Sequence, residues 1–310
     1  MTSNGRERGG RRPLAWLWNL VRWREDVLPG SPPDMTLVPE AWHADDGEMS
    51  FAVLGDNGSG RRNAMAVARQ MAHTYEQCPY GVVLLAGDVC YYGHIDDRFE
   101  AVFTRPYRPL IDAGVHWELA VGNHDVEGVH RPHRVPDPAA EAAAELRHFG
   151  KPRSYYRARH GPVDVFVIDS GLLLAPGPAA ATQLSWLSGA LAASSAAWKV
   201  ALMHHPPYSS GRHGSSLPLR RTLEPVLSEG GVDLAFAGHD HHYERTTPQQ
   251  GVTHVVTGGG CKLTLVGRSS FTAVAESVLH FVHVRVRGAT FDARAIAPGG
   301  RVVDHFTLHH

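Results

Sequence analysis

An α/β fold is predicted by three features of this chain. Short, mostly apolar, Val-rich runs recur; helical stretches separate them; and beyond Gly258 the pattern changes to strands of alternating polarity. The runs, in order, are SFAVLG, VVLLAG, HWELAV, VDVFVID, KVALMH and VDLAFAG, from Ser50 to Gly238. Each reads as a strand buried on both faces. Helices are expected over 63–77, 138–149 and 180–193, and this β–α alternation implies parallel strands with helices outside. The later LHFVHVRVRG and ATFDARAI predict an antiparallel meander. In sheets of this kind ligands gather where strands end at their carboxyl side.

The chain has 310 residues, 43% of them hydrophobic, and a net charge of −1. That suits one large α/β domain or two small ones with a sizeable core. Neutral balance argues against a nucleic-acid partner, which selects for a basic face. Twenty-one histidines are far more than one site can hold. Most are therefore expected at the surface or in the core, and His309 and His310 read as the remains of a tag as readily as native residues. Cys78, Cys90 and Cys261 form no CxxC pair, so a disulfide framework is not expected and a reducing compartment is compatible.

Residues 1–45 read as an N-terminal extension ahead of a folded domain at 46–310. Its first 12 residues are dominated by Gly, Arg and Ser and are expected to be disordered. Leu14, Leu17, Trp18 and Val21 then form a helical stripe, and PGSPPDM is a linker. Residues 13–28 could dock on the protein's own surface or on a partner, or make peripheral contact with a membrane; tryptophans and flanking arginines suit the latter. No apolar run approaches the ~20 residues of a membrane span. The stretch also has no A-x-A cleavage site, so a cytoplasmic location is the expectation, with any membrane association depending on 13–28.

The residues just beyond each strand carry the chemistry. After SFAVLG comes Asp56 in GDNG, after VVLLAG Asp88 in GDVCYYG, and after HWELAV the tetrad GNHD from Gly122 to Asp125. KVAL leads into MHHPPYS, and LAFA into GHDHHYER. A single GD after a strand means little. Five strand ends in order, each supplying a carboxylate, carboxamide or imidazole, describe a site for Fe, Zn or Mn rather than a thiolate site. So many donors exceed one tetrahedral ion, whereas two ions sharing a bridging carboxylate would use them. Glycine ahead of four of the five groups is expected to let the backbone turn sharply.

The set GDxG, GDxxY, GNHD, xxxH and GHxH resembles the calcineurin-like metallophosphoesterases and, within them, the small tartrate-resistant type of purple acid phosphatase. The similarity runs over about residues 49–270 and includes TQLSWL and RHGSS. It implies a four-layer αββα sandwich of two mixed sheets flanked by helices. It also implies a first ion on Asp56, Asp88, Tyr91 and His241, and a second on the bridging Asp88 with Asn123, His204 and His239. His205 would lie outside the ligand set. Most relatives carry D-x-H at the first motif; here position 58 is glycine, and Tyr91 would supply the missing donor. A phenolate favours Fe³⁺ at that position, with Fe²⁺, Zn²⁺ or Mn²⁺ at the other.

Two cations ~3.5–4 Å apart can turn a bound water into hydroxide and hold a phosphate for in-line attack. The expected activity is therefore hydrolysis of a phosphomonoester, a small molecule or else a phosphoprotein or nucleotide. By the resemblance His124 would protonate the leaving group or bind substrate, with Asp125 orienting its ring or else capping a helix, and His213 would face the substrate. Tyr92 and Cys90 are expected to point away, and Tyr243, Glu244 and Arg245 to steady a loop. A phosphodiesterase on nucleotide or phospholipid-type diesters is the competing enzyme class, although the cyclic-nucleotide type would carry the histidine absent at 58. A non-catalytic scaffold of the same fold would be expected to have lost ligands, and none is missing.

Overall fold

The computed structural model describes residues 48–127 and 137–310. The helix and linker expected before residue 46 lie outside them, as do His130 and His133. The chain begins with β1 (Glu48–Leu54), α1 (Arg62–Gln77) and β2 (Val82–Leu85). Next come α2 (Ile95–Phe99), a π turn (Glu100–Thr104), α3 (Arg105–Asp112) and β3 (His116–Leu119). After α4 (Asn123–Glu127) and α5 (Pro138–His148) it forms β4 (Tyr156–His160), β5 (Val163–Val167), α6 (Ser170–Leu174), α7 (Pro178–Ala192) and β6 (Trp198–Leu202). Helices α8 (Leu217–Thr222) and α9 (Glu224–Glu229) precede β7 (Leu234–Ala237), β8 (Tyr243–Thr246), β9 (Thr253–Thr257) and β10 (Thr272–Glu276). The meander β11 (Phe281–Arg287), β12 (Thr290–Ile296) and β13 (Val302–His309) ends the chain.

The strands divide into two mixed sheets, ordered β13-β12-β11-β1-β2-β3 and β10-β8-β9-β7-β6-β5-β4. In the first, β1, β2 and β3 run parallel, while β11 closes antiparallel on β1. In the second, β5, β6, β7 and β9 are parallel and β4, β8 and β10 antiparallel. Parallel strands thus form the β1-β2-β3 half of the first sheet and the centre of the second, and both sheets are mixed, as expected. The meander joins the first sheet through the β1–β11 ladder, with Phe51 opposite Val284.

Side-chain alternation makes four layers of this pattern. In β1, Phe51 and Val53 face inward with Val82 and Leu84 of β2, against Val163, Val165, Trp198 and Val200 of the other sheet. Ala52, Leu54, Val83 and Leu85 face the opposite way, onto Val67 and Met71 of α1 and onto Phe103 and Tyr107. On the far side Phe166, Ala201 and Met203 pack on Leu187 and Leu191 of α7 and on Leu219, Leu223 and Leu227. Each central strand thus buries both faces, which is why these runs read as continuously apolar. The αββα sandwich is the observed architecture.

The three expected helices appear as α1, α5 and α7, within two residues of their expected starts. Helix α3 carries Pro106 near its start and Pro109 inside, residues that act locally as breakers. Strand β4, YRARH, alternates half-buried and exposed residues at the sheet edge.

Candidate metal centre

The carboxyl ends of β1, β2, β3, β6 and β7 lie together, and the backbone there is unusual. Among the described residues four non-glycines have positive φ, and three of them are Asp56 (58°), Asp88 (57°) and His239 (69°). L-residues enter this left-handed region at a cost that surrounding structure must sustain, and such residues concentrate at functional sites. The expected role of the preceding glycines is thereby corrected at two strand ends. At Gly122 and Gly238 what matters is close approach: a Cβ on Gly122 would stand 2.3 Å from Asp88 Oδ1, and one on Gly238 2.5 Å from Asp56 Oδ2.

One group forms around Asp56. Tyr91 Oη lies 2.9 Å from Asp56 Oδ1 and 3.1 Å from His241 Nε2, and His241 Nε2 is 3.3 Å from the same carboxylate oxygen. The other carboxylate oxygen of Asp56 accepts the His239 N–H at 2.8 Å. Position 58 is what brings Tyr91 in. Gly58 N–H donates to Asp88 O at 3.0 Å and Gly58 O accepts Tyr91 N–H at 3.1 Å, so the two strand-end loops zip together. Burial first, then the charges of Asp56 and Asp88, holds the Tyr91 phenol well above its ordinary value. A multivalent cation among the same oxygens reverses that balance.

A second group forms around Asn123. Its Oδ1 is 3.0 Å from His204 Nε2 and 2.9 Å from His239 Nδ1, and Asp88 Oδ1 is 3.5 Å from His204 Nε2. His204 Nδ1 faces the carbonyl of Ala86 at 2.8 Å, so the hydrogen of a neutral ring sits on that nitrogen. Its bare Nε2 then confronts two oxygen acceptors in a fully buried position. Lone pairs facing lone pairs require a cation between them, a proton or a metal ion. Carboxylates, an amide oxygen and imidazoles are donors that suit a transition metal, so the residues fit such ions. Asp56, Asp88 and His204 place ligand atoms within 4.8 Å of one another, which links the two groups.

The matches to known proteins agree with this geometry. A family model described as Calcineurin-like phosphoesterase matches residues 49–243. Purple acid phosphatase 3 of Arabidopsis thaliana is 30% identical over 266 residues, 76% of this chain and 69% of the relative. Tartrate-resistant acid phosphatase type 5 of Mus musculus is 28% identical over 243 residues, 68% and 72% of the two chains. This chain belongs to the purple acid phosphatases, within the calcineurin-like phosphoesterase family. It is a metal-dependent phosphatase. Among solved structures, the purple acid phosphatase from yellow lupin (Lupinus luteus) seeds superposes with a TM-score of 0.72 at 19% identity, covering 86% of this chain and 54% of that one. GAP50, the anchor in the inner membrane complex of Plasmodium, superposes with a TM-score of 0.70 at 17% identity, covering 85% and 89%. These two likenesses concern the fold.

In this purple acid phosphatase His124 and His213 flank the two groups. The His124 ring lies 4.8 Å from that of Tyr91, and the His213 ring 4.3 Å from that of His239. Burial draws His124 below its ordinary value against the pull of Asp88. The expectation for Asp125 is corrected. Its Oδ2 accepts the N–H groups of Asp88 (2.7 Å) and Gly122 (2.8 Å), and its Oδ1 that of Cys90 (3.0 Å). It therefore ties the β2 and β3 loops together instead of orienting the His124 ring. Burial beside Asp88 raises it to about 6. Glu145 of α5, buried beside it, is pushed well above the usual carboxylate range by burial and by the Asp125 charge.

Further residues support the site, Asp240 and Lys262 among them with no local mark in the sequence. Asp240, between His239 and His241, turns away from both and holds the His213 loop: Oδ1 accepts His213 N–H at 2.9 Å and Oδ2 the Ser209 hydroxyl at 2.5 Å. Glu244 supports the same loop through Ser210 N–H at 2.6 Å, as expected of a loop-steadying residue. Tyr243 and Arg245 reach Asp304 of β13. Lys262 Nζ stands 3.1 Å from the centroid of the Tyr91 ring. Tyr92 turns outward under Arg61, and the Cys90 thiol faces backbone carbonyls. All three cysteines are buried and free.

The remaining described histidines mostly pair with carboxylates or hydroxyls: His94 with Glu141, His148 with Asp96, His160 with Glu118, His254 with Glu224, His280 with Thr257. His310 pairs with Asp233 at 3.1 Å and lies against Trp198. A separate groove of about 530 Å³, lined by Phe99, Trp117, Glu118, His148 and Lys151 among others, opens beside β3 and includes none of the site residues.

Proposed function

We propose that this chain hydrolyses phosphomonoesters at a dinuclear centre. One ion would be held by Asp56, Asp88, Tyr91 and His241, and the other by Asp88, Asn123, His204 and His239. Fe³⁺ suits the first position because its donors are hard and anionic, and Fe²⁺, Zn²⁺ or Mn²⁺ the second. The observation that carries the reading is the meeting of Tyr91 Oη with Asp56 Oδ1 and His241 Nε2 beside a glycine at 58. When bound, the ion pair supplies Lewis acidity to the phosphoryl group and acidifies the attacking water. The chain's own side chains do the rest. Asp125 fixes the Asp88 and Gly122 backbones and so the carboxylate shared between the groups. His124 and His213, one on each side, would bind the phosphoryl oxygens and protonate the departing alkoxide.

Concentrated protein purified with iron should be purple or pink and hold two metal ions per chain. Tyr91→Phe should lose the visible band. Monoester turnover should exceed turnover of a bis-ester. A colourless wild type would exclude ferric phenolate, faster bis-ester turnover would make the protein a diesterase, and a metal-free protein inert toward both would make it a scaffold.

A further inference from the structure

His205 follows His204 directly and takes part in neither ligand group, yet its ring lies against the second. The centroids of His205 and His239 are 4.6 Å apart, those of His205 and His204 5.0 Å. One ring nitrogen each of His204, His205 and His239 lies within 4.8 Å of the other two. Distance alone would make His205 a third imidazole ligand. Its hydrogen-bond partner argues otherwise.

Ser170, at the start of α6, is fully buried. Its Oγ accepts the backbone N–H of His205 at 2.9 Å and lies 3.0 Å from His205 Nδ1. A hydroxyl has one hydrogen to give, and leaving it without an acceptor in a buried position costs about 1–3 kcal/mol. Nδ1 is the acceptor available, so the Ser170 hydroxyl donates to it. The neutral ring then carries its hydrogen on Nε2. A protonated Nε2 cannot ligate a metal; it can donate a hydrogen bond.

The support for Ser170 is rigid. Asp169 caps α6 by accepting Leu172 N–H at 2.9 Å. The buried Gln183 of α7 grips the Asp169 backbone from both sides, accepting its N–H at 2.8 Å and donating to its carbonyl at 3.0 Å. Gln183 belongs to the TQLSWL stretch, and this grip is what it does. The chain of contacts from α7 through α6 ends on one imidazole beside His239.

We propose that His205 is a further substrate-binding residue, donating its Nε2–H to a phosphoryl oxygen on the Asn123–His204–His239 side of the site, with Ser170 as the positioning residue that holds this tautomer. The proposal rests on the phosphomonoesterase reading above. It assigns three imidazole donors to the substrate, His124 beside Tyr91 and His205 and His213 both beside His239.

The test compares wild type, His205→Ala, His205→Gln and Ser170→Ala, each loaded with the same metals. Metal content is measured first, then the affinity for inorganic phosphate by calorimetry. His205→Ala should retain two ions per chain and bind phosphate about tenfold more weakly, the loss expected for one hydrogen bond to a charged group. His205→Gln, which restores a donor, should recover part of it. In zinc-loaded protein the ring nitrogens of His205 should show the Nε2–H tautomer by ¹⁵N NMR, and Ser170→Ala should mix the two tautomers. Loss of one ion in His205→Ala would make His205 a ligand and overturn the proposal, and unchanged phosphate affinity at full metal content would overturn it equally. A wild type that takes up metal but leaves monoesters intact would instead refute the underlying reading.

Discussion

A Cβ placed on Gly58 would stand 2.2 Å from the carbonyl carbon of Val89 and 2.5 Å from the nitrogen of Cys90, distances that real side chains do not reach. Those backbone atoms belong to the segment whose next residue is Tyr91. The missing histidine of the D-x-H motif and the presence of Tyr91 are therefore one structural fact, because the loop that brings the phenol in leaves no room for a side chain at 58. Gly58→Ala should push the 88–91 segment outward, losing the visible band along with at least tenfold in kcat/KM. Absorption spectra and steady-state rates of the purified variant check this. A variant that keeps its colour would show that Tyr91 is placed independently of position 58.

At the scale of elements, the loop between β6 and α8 depends on the turn after β7. Asp240 and Glu244 receive the His213 and Ser210 N–H groups and so set where the His213 ring lies. Asp240→Asn can satisfy only part of this, and kcat/KM should fall about tenfold, the effect of misplacing one substrate-facing group. Metal content should stay at the wild-type value. The edge of the first sheet offers a pH test of a different kind. Burial pushes the Glu118 carboxyl of β3 up, but hydrogen bonds from His160 and Lys151 outweigh it and hold the group below its ordinary value. A carboxyl depressed on folding stabilises above its unfolded pKa, and that contribution fades as pH falls through the lower folded value. Glu118→Gln should thus unfold more easily than wild type at neutral pH, and the difference should shrink in acid. Denaturant midpoints at a series of pH values measure it.

At the scale of the whole molecule, the described residues form three apolar interfaces between four layers, and stability is separable from chemistry. Leu187 of α7 is fully buried in the outer interface of the second sheet. Leu187→Ala should cost about 2–5 kcal/mol, seen as a lower thermal midpoint, with the rate at 25 °C unchanged. Acid acts on the interior through histidines. Burial lowers His280 to about 4 and His283 to about 3 from an ordinary 6.5. His280 faces Thr257 and the Val278 carbonyl, and His283 faces Ser50 with Arg285, Asp292 and Arg294 nearby. The unfolded chain takes up protons that these neutral rings refuse. Stability from this source is whole above about pH 6.5 and declines as pH falls toward their folded values. His283→Gln should flatten the fall of the denaturant midpoint between pH 7 and 4.

That Asp56, Asp88, Asn123, His204, His239 and His241 gather in one place was legible in the sequence, because each lies within four residues of the end of a strand whose burial makes it largely apolar. A parallel sheet delivers its strand ends to one edge, so local order in the chain becomes proximity in space. The central strands and the helices α1, α5 and α7 were legible because their signals are local: short apolar Val-rich runs, and the longer stretches that separate them. The tertiary structure decided what depends on partners far apart in the chain. That Asp125 serves the N–H groups of Asp88 and Cys90 and not the His124 ring, that Asp240 holds the His213 loop, and that Ser170 sets the tautomer of His205 are contacts across 27 to 37 residues. No local pattern records them. The edge strand β4 and the proline-bearing α3 likewise owe their form to neighbours, whose packing overrides propensities that single residues express only weakly.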